Sequence, residues 1–202
     1  MARVPLTEEE VASTRFVLNV EKAGLTEEQF LQLCRDNRDL RMELTAQKEL
    51  IIMPPAGLKS GWREIVLCTE LMIWARKDGT GIAFGPSAGY TLPNTAIRGP
   101  DASWVRRDRL GDFKDPQLEK FGHLCPDFAA EVMSPTNTLT ELQVKMAEYI
   151  ANGAQLGWLI DPYETRVYVY RSGQAVKCLE NPNTISGDPV LPGFVFNVAE
   201  IW

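Results

Sequence analysis

The chain has one histidine, His123, in 202 residues, and that scarcity removes a group of mechanisms. Zinc sites of the H-E-x-x-H type, histidine-rich metal cages and any reaction that needs two imidazoles are excluded. Cys34, Cys68, Cys125 and Cys178 are widely spaced and include no C-x-x-C pair, so a thiolate zinc site lacks its ligand spacing. Long apolar runs are also missing. None approaches the ~18 residues a membrane span requires, and Met1–Pro5 reads as neither signal nor transit peptide. The expectation is a cytoplasmic protein with four reduced thiols. Positive charge is short: 21 Lys and Arg against 27 Asp and Glu leave a net charge of −6. A protein that grips nucleic acid with its whole surface is usually basic, so any such contact here has to use a local patch or a metal. There is no G-x-x-x-x-G-K-[ST], and Gly79-x-Gly81-x-x-x-Gly85 follows a helical pattern where a dinucleotide loop follows a strand. No nucleotide cofactor is expected.

What is present is an ordinary globular composition. The apolar fraction of 45% lets a chain of this length build its own core without a metal or disulfide staple. Thr7 followed by three glutamates suits the start of a helix, and Thr26 caps a second helix with Phe30, Leu33 and Cys34 on one face. A strand pair is expected at 40–44 and 49–53, stopped by Pro54-Pro55. A long helix follows Gly57 to about Lys77, with Ile65, Leu67, Cys68, Leu71, Met72 and Ala75 as its apolar stripe. Strands are expected at 81–84, 89–92, 101–105 and 128–133. Thr138-x-x-Glu141 is a capping box that opens a further helix, and three strands follow at 155–160, 166–170 and 175–179. The tail ends apolar at Phe194, Phe196, Ile201 and Trp202, which implies that it packs back on the body. The domain reading is a helical N-terminal arm at 1–24 and one α/β domain at 25–202.

Gly85-Pro86-Ser87-Ala88-Gly89 matches the G-x-S-x-G nucleophile elbow, with Asp101 and His123 following in hydrolase order. The elbow needs a strand-to-helix turn, whereas Tyr90-Thr91-Leu92-Pro93 favours a strand and then a break. Three small residues in a turn between strands is the plainer account.

The better constellation is acidic. Pro100-Asp101 opens one strand, and Glu131 lies inside another, Asp127-Phe128-Ala129-Ala130-Glu131-Val132-Met133. Alternation points Phe128, Ala130 and Val132 one way and Asp127, Ala129, Glu131 and Met133 the other. A carboxylate in so apolar a strand is costly unless it is paired, protonated or on a metal. An Asp and a Glu from adjacent strands make a hard, oxygen-rich site that suits Mg²⁺ or Mn²⁺.

These residues resemble the PD-(D/E)XK nuclease signature with its lysine missing from the strand. More specifically, Leu40-Arg41-Met42-Glu43-Leu44, Glu49-Leu50-Ile51-Ile52-Met53-Pro54-Pro55, Arg98-Gly99-Pro100-Asp101, Cys125-Pro126-Asp127-Phe128-Ala129-Ala130-Glu131-Val132, Lys145-x-x-x-Tyr149 and Gly157-Trp158-Leu159-Ile160-Asp161-Pro162 are similar to the Uma-two family. That is a group of restriction-endonuclease-like proteins abundant in cyanobacteria. The resemblance implies a mixed central sheet flanked by helices and a Mg²⁺- or Mn²⁺-dependent hydrolysis of DNA phosphodiester bonds. It places Asp101 and Glu131 as metal ligands, joined by Glu43 and the carbonyl of Val132. It also suggests that Lys145 replaces the lysine absent at Met133, and that the protein pairs as a homodimer. Arg106, Arg107 and Arg109 form the one dense basic spot for nucleic-acid contact.

Each residue also has a plainer reading. Turn chemistry alone places many aspartates where Asp101 stands. Lys145 follows Glu141 by four residues, the favoured order for a helix-surface ion pair. Glu43 fits an exposed position of an edge strand, and the arginine cluster fits a solvated turn. A catalytically inactive relative, acting as a nucleic-acid or protein binding module, is the alternative to the nuclease.

Overall fold

The computed structural model describes residues 15–112 and 116–202. The helix expected at Thr7–Glu10 lies outside them. The described part of the arm is extended rather than helical: β1 (Phe16–Asn19) pairs with β3 (Glu49–Met53), and a 3-10 turn follows at Glu21–Ala23. Phe16, Val17 and Leu18 run together without helical period, and such residues fit a pleated edge better than a helix.

Among the described residues two larger sheets form. The first has the order β1-β3-β2-β6-β5, all antiparallel, with β2 (Arg41–Leu44), β5 (Tyr90–Thr91) and β6 (Ile97–Arg98). Thr26 caps α1 (Glu27–Asp36) through a reciprocal capping box with Gln29, and Phe30 from this helix packs on Leu44, Leu50 and Ile97.

The second sheet has the order β11-β10-β9-β8-β7-β4. Its strands are β4 (Gly81–Phe84), β7 (Ala102–Arg106), β8 (Phe128–Val132), β9 (Leu156–Asp161), β10 (Arg166–Arg171) and β11 (Lys177–Glu180). Only β8 and β9 run parallel, because α4 (Leu139–Ala151) carries the chain back between them. Helix α2 (Leu58–Asp78) covers one face of this sheet and α4 the other. Leu67, Leu71 and Ala75 are the buried side of α2, whereas Ile65, expected in that stripe, points outward at 59% exposure. On the α2 face Trp104, Phe128, Ala130, Val132 and Trp158 join Phe194, Phe196 and Ile201 of the tail in one core. On the α4 face Ala129 and Leu159 pack with Leu142, Met146 and Tyr149. The tail therefore does return to the body, through β12 (Ile185–Ser186) and β13 (Val195–Phe196). A short helix, α3 (Arg107–Leu110), follows β7.

Burial on both faces explains why β8 reads as a nearly unbroken apolar run. It also sharpens the anomaly of Glu131 within it.

Candidate active site

On β7 and β8, Ala102 stands opposite Ala130. One step further along the antiparallel ladder brings Asp101 opposite Glu131. Alternation turns Glu131 away from the Phe128–Ala130–Val132 core and toward α4, as the sequence pattern predicts.

Helix α4 presents Lys145 and Tyr149, four residues apart and so on one face. Lys145 Nζ lies 2.8 Å from Glu131 Oε1 and 2.7 Å from Glu43 Oε1. The Tyr149 hydroxyl donates to Glu131 Oε1 at 3.0 Å. Lys145 is thus buried in the site rather than paired with Glu141, which instead closes the capping box on Thr138 and meets Arg15.

Strand β2 supplies the third carboxylate. Glu43 is buried, not an exposed edge residue; Arg98 Nη1 donates to its Oε2 at 3.1 Å and the Gly99 amide to its Oε1 at 3.1 Å. Arg98 is held in turn by Glu148 of α4, Nε to Oε2 at 2.6 Å. Two positions before Glu43, Arg41 donates to Asp101 Oδ1 and to the Gly99 carbonyl, both at 2.9 Å. The Val132 amide donates to Asp101 Oδ2 at 2.8 Å. Five sequence segments thus meet at the base of a cleft of about 1700 Å³.

The electrostatics follow from this packing. Burial alone would raise Glu43, yet the charges of Lys145 and Arg98 hold its carboxyl down at about 2. Burial pushes Glu131 up to about 7; Lys145 opposes the rise, while Asp101 and Glu43 add to it. Glu64 of α2 is likewise pushed up to about 7, by burial and by Asp101, with Arg41 opposing. Burial works against the Lys145 ammonium, but Glu131 and Glu43 outweigh it and raise Lys145 above its usual value.

The structure does not bring every candidate here. Arg106 ends the strand that Asp101 precedes, so about 16 Å of extended chain separates them at ~3.3 Å per residue. Arg106 pairs with Asp108, and Arg109 with Asp127 at 2.8 Å. Neither they nor Arg107 line the cleft. Ser87 sits in a turn between β4 and β5 with no helix after it. The other members of that hydrolase pattern are engaged elsewhere, since His123 Nε2 meets Glu27 Oε1 at 2.9 Å and Asp101 is bound as above. Reading the sequence alone gave no role to Arg41, Arg98, Tyr149, Glu148 or Glu64. The spacing of Arg41 from Glu43 along a strand, and of Tyr149 from Lys145 along a helix, was the available signal for two of them.

A family model described as "Putative restriction endonuclease", Uma2, matches residues 27–199. The chain belongs to the Uma2 family. Among solved structures, a "putative nuclease" from Anabaena variabilis shares the fold with a TM-score of 0.73 at 22% identity, over 87% of this chain and 96% of that one. No protein with a curated description matches. The restriction-endonuclease-like α/β fold is thereby shown. Among the described residues, no helix is long and apolar enough to cross a membrane.

Whether a divalent ion fits can be asked of the residues themselves. Among the described residues no group of three His, Cys, Asp or Glu side chains is gathered to hold a metal. Mg²⁺ does not ask for one: it takes one or two carboxylates and keeps several waters. Asp101 and Glu131 meet that requirement with oxygen donors alone. The charges agree. Glu43, Glu64, Asp101, Glu131 and Glu148 face Arg41, Arg98 and Lys145, an excess of two carboxylates when all are ionised. Burial is the main cause of the raised pKa values of Glu64 and Glu131, and neighbouring carboxylates add to it. A divalent cation at Asp101 and Glu131 would neutralise the excess.

Proposed function

We propose that the chain hydrolyses phosphodiester bonds of DNA with Mg²⁺ or Mn²⁺. The observation that carries this reading is the meeting of Asp101, Glu131 and Lys145 from three separate elements, with the lysine arriving from α4 in place of the one missing at Met133. Asp101, Glu131 and the Val132 carbonyl would hold the ion, which polarises a phosphoryl oxygen and lowers the pKa of a water when bound. Lys145 stays an ammonium beside two carboxylates and offsets charge developing on the phosphate. Glu43 keeps that ammonium in place, and Arg98 with Glu148 keeps Glu43 in place. Glu43, which shares Lys145 with Glu131, would complete the ion's shell. Arg41 fixes the Asp101 carboxylate, and Tyr149 fixes that of Glu131.

The test is calorimetric titration of Mn²⁺ and Mg²⁺ into wild type, Asp101→Ala and Glu131→Ala, with plasmid nicking on the same samples. Binding and nicking lost together in both variants support the nuclease. A folded wild type that binds no divalent ion refutes it and leaves the inactive binding module.

A further inference from the structure

The N-terminus of α2 opens on the same cleft without a cap. Gly57 at the N-cap has no side chain to offer, and the first turn holds no acidic residue. The amides of Leu58, Lys59 and Ser60 have no acceptor within the helix. Together with the helix dipole they favour an anion, and Lys59 adds a positive charge on the cleft wall.

A second observation points the same way independently. Ser60 is only 6% exposed, yet its hydroxyl has no hydrogen-bond partner among the described residues, and it lines the cleft. Its oxygen is not among the side-chain atoms shut off from solvent without a partner, so the hydroxyl opens on the cleft, free to donate to an oxygen ligand beside the bare helix amides. Ser60 is one turn, about 5.4 Å of helix, from Glu64, whose carboxyl senses the charge of Asp101. Asp101 and Glu131 line the same cleft.

We infer that the α2 N-terminus, with the Ser60 hydroxyl and Lys59, seats a phosphate group, namely a phosphodiester of the same strand that is held at Asp101 and Glu131. The phosphate seat stands on its own geometry, whereas the assignment to a nucleic-acid strand rests on the nuclease reading. The seat gives an acidic protein a local grip on a polyanion, apart from Arg106 and Arg109, which are paired with Asp108 and Asp127.

The test is fluorescence anisotropy of a labelled 16-nucleotide single strand with the full chain, in EDTA and again in Ca²⁺. Gly57→Asp is the decisive variant. A Cβ at Gly57 meets nothing within 4 Å, and Asp is a favoured N-cap, so the helix gains stability while a carboxylate occupies the phosphate position. Affinity should fall at least tenfold at low salt with Tm unchanged or raised, and the salt slope should shrink by about one. Ser60→Ala should cost about tenfold or more at unchanged Tm, as one hydrogen bond to a charged group. Strand affinity in Gly57→Asp within twofold of wild type overturns the proposal, as does a wild type that binds no strand in either condition. Inorganic phosphate separates the sources. If it raises the Tm of wild type but not of Gly57→Asp, while strand binding ignores that substitution, the site takes free phosphate and the strand assignment falls. Strand binding that depends on Gly57, without cleavage in Mg²⁺ or Mn²⁺, refutes the nuclease and leaves the seat standing.

Discussion

Lys145 Nζ stands 2.8 Å from Glu131 Oε1 and within 2.7 Å of Glu43, with all three side chains almost fully buried. Its removal leaves two carboxylates facing each other in a low-dielectric interior. Lys145→Met should therefore lose about 3–5 kcal/mol of stability, the usual cost of stripping one partner from a buried pair. Adding Glu131→Gln should recover a sizeable part, because the charge left uncompensated is then removed. Urea denaturation of the single and double variants measures both. A single variant within 1 kcal/mol of wild type would show that the lysine does not neutralise this pair.

Asp101 presents the contrasting case. Its partner Arg41 is about one-third exposed, so solvent already screens that pair and its net contribution to stability is small. Asn at position 101 keeps an oxygen for the Val132 amide. Asp101→Asn should thus fold with nearly the wild-type Tm, yet bind Mn²⁺ at least about tenfold more weakly and fail to nick plasmid. Unchanged Mn²⁺ affinity in this folded variant would remove Asp101 from the metal site.

Glu131 and Glu64 are pushed up to about 7 from an ordinary 4.5. The folded chain then holds protons that the unfolded chain has released, so these two groups lower stability as pH rises from about 4.5 through 7. Glu43 acts in the opposite sense. Its folded pKa of about 2 gives stability above pH 4.5 that disappears as pH falls toward 2. Without metal, Tm should peak in the mildly acidic range and decline toward pH 8. Mn²⁺ competes with the protons on Glu131, so the Tm gained from added Mn²⁺ should grow between pH 6 and pH 8. A metal-induced gain independent of pH would place the ion away from Glu131.

These expectations depend on contacts that differ in how far the sequence discloses them. Asp101 and Glu131 could be paired from strand alternation and from the cost of a carboxylate in an apolar run, both local signals. Lys145 came from the pattern with Tyr149 rather than from geometry, since its partner Glu43 is 102 residues away. Arg41 and Arg98 neutralise carboxylates 60 and 55 residues distant. Arg41 reaches from one sheet to the other and Arg98 reaches the neighbouring strand of its own sheet, and no local periodicity reports which strands come together, so their partners were not legible in the sequence. The Arg106–Arg109 cluster failed for the reverse reason. Its charge density is conspicuous, but Asp108 lies two residues on, and strand length alone carries Arg106 away from Asp101. In the arm, Phe16-Val17-Leu18 was absorbed into a helix suggested by Thr7 and its glutamates, although a β-prone triplet beside a free strand edge favours pairing.

The last prediction concerns the packing that holds β7, and hence Asp101, in place. An added Cβ at Gly81 would fall inside the indole of Trp104, whereas one at Gly157 would strike only the terminal methyl of Met146. Trp104 is buried against Trp74, ring centroids 5.7 Å apart, and has no room to turn. The thioether end of Met146 can swing aside. Gly81→Ala should accordingly lose about 1–3 kcal/mol through overpacking, and Gly157→Ala clearly less. Neither position touches the carboxylates, so the Mn²⁺ affinity of the folded fraction should match wild type in both. Chemical denaturation ranks the pair. Equal losses, or a larger loss at Gly157, would mean that the indole yields and that Trp104 does not fix the spacing between β4 and β7.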